Sequence, residues 1–509
     1  MVLRASTIII TVFLISPFLF LFVDIDWPFI ISIIKKHWQS DFHWTSLKLM
    51  ALVSILSLFW AIIPAWLIAS KDFFGRSILS VLHLMPLCIP AYILAYVYDG
   101  VLGAYGTLMS YTGVYFDIKN IWGLTFVLSL ALYPYVFLLT KISFSRQSYD
   151  LINAARSLRQ NRIQRFAKVI IPLSLPAIIG GLFLLNMEVL NNFGAVSFYG
   201  LKTYTTEIIR LWNPMDLSPV KYLGISLLLL LMLFLILDYI YFRNKEVYES
   251  SGANVGYDRN KLSGYKNWLA FFVCLLPVLF ALVLPVCQLL IWGVPLFIEQ
   301  LDSGFLELII NTLAVALLAC FVCVLLSLFL SSIKHMLKEP WIDKFSRLWG
   351  LGYTVPGVLL GVGILLIASD LSKLLGIGLS LSVFTLAAAY TLRFNAVSYN
   401  ALDSAFKKFP LNIREASYNL GKNKHHTWLK VDLPLIRPSL IAALILVFVE
   451  IIKELPLTML FHHFNFETLA IRAYILMETD GAIYEASVPS LIIIFISFIP
   501  IWYLNSKSQ

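Results

Sequence analysis

The chain is 509 residues long, 60% hydrophobic and only 13% charged, with a mean hydropathy of +0.83 and a net charge of +9. Soluble domains carry roughly a quarter charged residues, so this deficit excludes an ordinary water-soluble globule and points to a lipid-facing surface, where nothing solvates charge. The basic excess belongs to membrane topology rather than to nucleic acid, because cytoplasmic loops of membrane proteins concentrate Lys and Arg.

A membrane-spanning helix needs about 20 apolar residues. About twelve such segments follow one another, near 6–24, 46–70, 77–98, 121–140, 170–192 and 218–242, then near 267–295, 306–333, 348–369, 376–392, 433–460 and 482–504. The first follows Arg4 and runs into Asp24 and Asp26 instead of a small-residue cleavage site, so it reads as an uncleaved helix. Lys and Arg cluster in 141–168, 243–266, 334–347 and 393–430, whereas 296–307 holds Glu299, Asp302 and Glu307 with no basic residue. That alternation places both termini in the cytoplasm. The polar stretch with Ser250, Ser251, Gly252 and Gly256 reads as a linker. The expectation is an all-α integral membrane protein with a first half over 1–245, a cytoplasmic linker over 246–265 and a second half over 266–509.

The halves repeat. Asn153-Ala154-Ala155-Arg156-Ser157-Leu158-Arg159, with Pro172 and Pro176, aligns without gaps with Glu415-Ala416-Ser417-Tyr418-Asn419-Leu420-Gly421, with Pro434 and Pro438. The offset is constant at 262 (420 − 158, 434 − 172, 438 − 176), and it also pairs Glu188 with Glu450, Thr206 with Thr468 and Arg210 with Arg472. The two copies fall on the same expected side, so the duplication is parallel. In the second copy Glu415 suits the positive start of a helix, and Gly421 suits a left-handed helix end. Pro434 and Pro438 suit a first helical turn.

Glu188 and Glu450 recur at one position of each half, and an ionisable residue within a span faces the interior or an aqueous cavity. They line a shared path or make structural hydrogen bonds between helices. Glu454 lies one turn from Glu450 and beside Lys453, which offers a pairing partner. His462, His463 and Glu467 lie near the outer end of the eleventh segment, and the adjacent histidines read as solvated or partner-facing rather than as ligands of one ion. No metal ligand set is assigned. Cys320-x-x-Cys323 reads as packing inside an apolar run. No G-x-x-x-x-G-K-[ST] loop occurs, since Gly421-Lys422 is followed by Asn423, so the chain is expected to bind no nucleotide and to be no enzyme.

The second copy resembles the E-A-A-x-x-x-G-x9-I-x-L-P motif of binding-protein-dependent ABC importer permeases. The resemblance implies two six-helix halves of the type I importer permease fold in a bacterial inner membrane. It also implies two docking loops, each received by one copy of a separate ATPase that holds ATP and Mg, and a substrate-binding protein on the outer face. Carried residue by residue, the docking set is Glu415, Ala416, Ser417, Leu420 and Gly421 in the second half. In the first half it is Asn153, Ala154, Ala155, Leu158 and Arg159, where Asn153 and Arg159 depart from the motif's acid and glycine. His425 and His426 fall in the second loop and are expected to touch the ATPase.

Met187-Glu188-Val189-Leu190-Asn191-Asn192-Phe193-Gly194, Val449-Glu450-Ile451-Ile452-Lys453-Glu454-Leu455-Pro456, Pro90-Ala91-Tyr92 and Tyr353-Thr354-Val355-Pro356-Gly357 together look like the fused permeases of the ferric-iron importer family. That resemblance implies ferric iron as cargo and a path past Glu188, Asn192, Glu450 and Glu454, with Asn192 standing where an acid is expected. Thiamine, a phosphonate or a polyamine remain as alternative cargoes. An ion-coupled secondary transporter remains as an alternative class.

Overall fold

The computed structural model describes residues 2–22, 28, 41–146, 161–212, 218–243, 260–337, 339–353, 355–376, 378, 382–408, 411–462, 466–479 and 482–507. These are helical throughout, apart from turns and one pair of parallel two-residue strands, β1 (Lys71–Asp72) and β2 (Asn260–Lys261). The first run of helices is α1 (Val2–Phe20), α2 (Asp41–Ser70), α3 (Arg76–Leu82), α4 (Ala91–Leu102), α5 (Thr107–Thr112), α6 (Ile121–Arg146), α7 (Ile171–Asn191), α8 (Gly194–Phe198), α9 (Tyr204–Arg210) and α10 (Ser218–Arg243). The second is α11 (Tyr265–Val278), α12 (Leu284–Gln300), α13 (Ser303–Leu337), α14 (Gly357–Leu375), α15 (Val383–Lys407), α16 (Leu411–Asn419), α17 (Leu433–Ile452), α18 (Pro456–Phe461), α19 (Leu469–Glu478) and α20 (Ser487–Lys507). Shorter helical turns join them.

The sequence offset reappears in the architecture. Asp41 and Ser303, Ile121 and Val383, Ile171 and Leu433, and Gly194 and Pro456 each open equivalent helices, every pair 262 residues apart (303 − 41, 383 − 121, 433 − 171, 456 − 194).

Among the described residues, eight helices are long and apolar enough to cross a membrane, or nine if the pair Arg76–Cys88 and Ala91–Thr112, bent by 95°, counts as one broken span. This is fewer than the twelve expected. Pro219–Leu233 and Ser487–Tyr503 are apolar but shorter. The expected segment 376–392 is corrected: its helix, α15, starts at Val383 and continues to Lys407. It takes in Arg393, which had been assigned to a basic loop. α15 is poor in apolar residues because it faces protein. Thr391, Arg393, Asn395 and Ser398 are all buried, and Ser327 of α13 bonds the Asn395 side chain at 2.8 Å. Packed polar side chains of this kind need internal partners, since lipid offers none.

Three wide π-type turns, Phe166–Ile170, Leu279–Val283 and Trp428–Asp432, share one cause. Each is followed, one residue on, by a proline: Pro172, Pro285 and Pro434. A proline inside a helix lacks the N–H and drives its ring into the carbonyl four residues back. Here the residue before each proline donates five back instead, Ile171 to Phe166, Leu284 to Leu279 and Leu433 to Trp428. The widened turn relieves the clash without ending the helix. Pro434 and Pro438 therefore both lie inside one continuous helical span, Lys424–Ile452, a correction to their expected place in a first turn.

The two runs interlock. α1 packs against α14 of the other run, so closely that a Cβ on Gly363 would stand 2.3 Å from the Pro17 carbonyl. Trp349 donates to Thr11 at 2.9 Å, and Arg4 pairs with Glu339 at 2.5 Å. The Trp341 indole N–H and the Arg4 guanidinium hold the partly buried Glu339 carboxyl below its ordinary range. Reciprocally, α12 packs against α4 and α11 against α2 and α3. The Tyr98 hydroxyl donates to the Phe280 carbonyl at 2.7 Å.

Candidate functional site

The site lies where two long helices break. α7 ends at Asn191 and the chain restarts as α8 at Gly194, while α17 ends at Ile452 and restarts as α18 at Pro456. Pro456 cannot donate to the preceding turn. Gly194 is needed for close approach, since a Cβ there would stand 2.7 Å from Leu455 Cδ2 and 2.8 Å from Tyr92 Cβ. Irregular backbone at membrane depth is tolerated only where protein or a cavity surrounds it. Here both breaks open on one half-open cavity, walled further by Ile89, Pro90 and Tyr92, by Ala131 and Tyr135 of α6 and by Arg393 of α15.

All four residues expected along the path, Glu188, Asn192, Glu450 and Glu454, line this cavity. Its walls are paired by the 262-residue offset: Ala131 with Arg393, Glu188 with Glu450, Asn191 with Lys453, Asn192 with Glu454, and Gly194 with Pro456. The chemistry of the pairs is unequal. Only Glu188 and Glu450 match. In three of the other pairs the second run carries a charge, Arg393, Lys453 or Glu454, where the first is neutral.

The contacts divide these residues by role. Asn192 accepts from the Ala195 N–H at 3.2 Å, and Glu454 accepts from the Leu457 N–H at 3.1 Å. These are equivalent bonds, one offset apart, that close the starts of α8 and α18. Asn192 can therefore replace an acid, because what both positions supply is an acceptor for a helix start. Glu454 is also paired, with Arg393 Nη1 at 3.3 Å rather than with the neighbouring Lys453. Both partners are almost fully enclosed, at 3% and 6% exposure. The same guanidinium nitrogen reaches Asn191 Oδ1 at 3.1 Å, which also accepts from the Gly357 N–H at 2.8 Å. Lys453 pairs with Glu450 at 2.8 Å and donates to the Leu87 carbonyl of the opposite run at 3.2 Å. Glu188 bonds Tyr353, whose hydroxyl lies 3.4 Å from that of Tyr135.

Gly357 makes room for this network. A Cβ there would fall 1.6 Å from Arg393 Nη1 and 3.2 Å from Glu454 Oε1. Gly357→Ala is expected to displace the guanidinium and lower stability by about 1–3 kcal/mol, the usual cost of overpacking. Thermal unfolding of the detergent-solubilised protein checks this, and an unchanged midpoint would show that Arg393 relocates freely.

The second docking segment forms an ordered, exposed surface. α16 starts at Leu411, so Glu415 occupies its second turn and does not begin the helix, a correction to its expected place. Glu415, Ala416 and Leu420 are exposed, Leu420 by 78%. Ser417 instead turns inward and bonds Thr427 at 2.8 Å. Gly421 adopts φ +74°, the expected left-handed end, and the Lys422 N–H reaches back to the Ser417 carbonyl at 3.2 Å, closing the helix in a Schellman manner. Arg414 pins the helix to Asp432 at 2.8 Å. His425 and His426 are exposed beside it. Asn153, Ala154, Ala155, Leu158 and Arg159 lie outside the described residues, as does His463.

Glu467 pairs with Arg472 at 3.6 Å. Among the described residues no group of three His, Cys, Asp or Glu side chains stands close enough to hold a metal. Cys320 and Cys323 are buried, bonded to the Leu444 carbonyl at 3.2 Å and the Ser398 hydroxyl at 3.4 Å, as packing residues are. The residues that sequence reasoning missed are Arg393 and Asn191, although the offset places Arg393 opposite Ala131.

Comparison with known proteins agrees with this architecture. The family described as binding-protein-dependent transport system inner membrane component matches residues 60–246. The Fe(3+)-transport system permease protein FbpB 2 of Haemophilus influenzae is 26% identical over 473 residues, 90% of this chain and 88% of that one. The molybdenum transport system permease protein ModB of the same organism is 31% identical over 161 residues, 30% of this chain and 69% of that one. The ferric transport system permease protein FbpB of Actinobacillus pleuropneumoniae is 24% identical over 409 residues, 75% of this chain and 58% of that one. The chain belongs to the binding-protein-dependent transport system inner-membrane component family, a class of transport permeases.

Proposed function

We propose that the protein is the permease subunit of an ATP-driven importer, with two permease halves, 1–245 and 266–509, joined by a cytoplasmic linker over 246–265. Its cargo is ferric iron, delivered by a binding protein on the outer face, and both termini lie in the cytoplasm. The observation that carries this reading is the cavity itself: two helices broken at equivalent positions, with Glu188 and Glu450 lining one half-open space between the runs. The near full-length similarity to a ferric-transport permease supports the choice of cargo.

ATP and Mg would be held by two copies of a separate ATPase. One copy docks on Glu415, Ala416, Ser417, Leu420 and Gly421. The other docks on the segment with Asn153, Ala154, Ala155, Leu158 and Arg159. Closure of the ATPase pair would move α16, and Arg414 would pass that movement to the base of α17 through Asp432. Alternating access of the cavity follows.

The test is reconstitution in proteoliposomes with the ATPase and the iron-loaded binding protein. Iron uptake is expected to require ATP. Gly421→Asp is expected to abolish ATP-dependent uptake and co-purification of the ATPase while leaving expression normal, because Asp tolerates the left-handed conformation better than most residues. Intact transport and assembly in that variant would remove the docking assignment.

A further inference from the structure

Away from the basic loops, only two charged residues recur unchanged at the 262-residue offset. One is the glutamate of Glu188 and Glu450, and both copies line the cavity. The other is the arginine of Arg210 and Arg472, and neither copy lines it. Arg210 ends α9, and Arg472 stands near the start of α19. Each follows the helix break of its run, toward the outer face on the orientation proposed above. The packing repeats too. α9 touches α2 of its own run and α14 of the other, and α19 touches α13 of its own run and α4 of the other. Each arginine-bearing helix therefore sits where the two runs meet.

Both side chains are exposed, Arg210 by 63% and Arg472 by 46%. Each pairs with an acid of its own run, Arg210 with Glu207 at 2.5 Å and Arg472 with Glu467 at 3.6 Å. Those acids are not repeated. The offset sets Glu207 against Leu469 and Glu467 against Thr205. The duplication thus keeps the cation and not the ion pair. Exposed pairs contribute little and exchange readily, so a carboxylate from outside can take over either arginine. A guanidinium suits that exchange, because its planar fork grips a carboxylate with two parallel bonds. We propose that Arg210 and Arg472 are paired contact points for the binding protein on the outer face, each taking one carboxylate of its surface. The proposal rests on the importer reading above.

The test is the affinity of iron-loaded binding protein for the full chain with its ATPase in proteoliposomes. Arg210→Glu and Arg472→Glu are each expected to weaken binding at least about tenfold, and the loss should shrink as salt is raised. Lys202→Glu makes the same charge change at an exposed cation that the offset sets against Phe464. It is expected to change the affinity less than about twofold. Unchanged co-purification of the ATPase shows that a variant is folded. Where a Glu variant fails that check, Arg210→Gln and Arg472→Gln take its place, with an expected loss of about three- to tenfold. Binding as tight as that of the unsubstituted chain overturns the proposal and leaves the importer reading standing. That is also the result expected if the two arginines hold lipid headgroups instead. An equal loss in Lys202→Glu overturns it too, since any outer cation would then serve. No binding to the unsubstituted chain overturns the importer reading itself.

Discussion

Arg393→Leu is expected to cost the folded protein about 3–5 kcal/mol, the usual penalty for stranding one member of a buried ion pair. The stranded group is Glu454, which keeps only the Leu457 N–H once the guanidinium is gone. Asn191 loses a donor in the same step. The variant should therefore express weakly and unfold at lower temperature in detergent. Arg393→Leu combined with Glu454→Gln should recover most of the loss, because Gln keeps an acceptor for the α18 start and carries no charge. The double-mutant cycle isolates the pair. An Arg393→Leu protein as stable as the unsubstituted one would show that the pair holds nothing together.

The second large effect concerns transport rather than folding. Glu188→Gln with Glu450→Gln is expected to reduce ATP-dependent iron uptake by at least about tenfold, since both cavity carboxylates at the repeated position are lost together. Neither residue closes a helix start as Asn192 and Glu454 do, so expression should change less than in Arg393→Leu. Normal uptake at normal expression would leave both residues with a structural role only. Glu188→Gln alone should be milder, because Glu450 keeps its pairing with Lys453.

Much of this site was legible in the sequence because duplication marks positions twice. The offset of 262 identified Glu188 and Glu450 before any helix was placed, while the pairing of Asn192 with Glu454 emerged only from the structure. Gly421 was legible for a local reason, the left-handed turn that few other residues tolerate. Arg393 was not. Charge counting assigns every Lys or Arg after an apolar run to the nearest loop, and only packing shows that α15 continues inward past Arg393 to Lys407. Its pairing with Glu454, across 61 residues, follows from the arrangement of α15 and α17 and from no local pattern. Asn192 looked anomalous while its position was taken to need a charge, and the helix break shows that it needs an acceptor. Glu415 was misplaced by about one turn, although Pro410 just ahead of Leu411 marks where a helix can begin.

The seating of α1 on α14 also sets an order of events during synthesis. Pro17 leaves the ribosome 346 residues before Gly363, the residue it packs against (363 − 17). At ordinary translation rates of about 5–20 residues per second, that is a wait of roughly 20–70 s. Throughout it α1 lacks its seat on α14, and lipid must shelter the face that α14 will cover. Its sequence suits that interval: Ile8, Ile9, Val12 and Leu19 remain exposed even in the finished fold. α1 is thus locked only after α14 is made, and a ribosome stalled before residue 357 leaves α1 inserted but undocked from it.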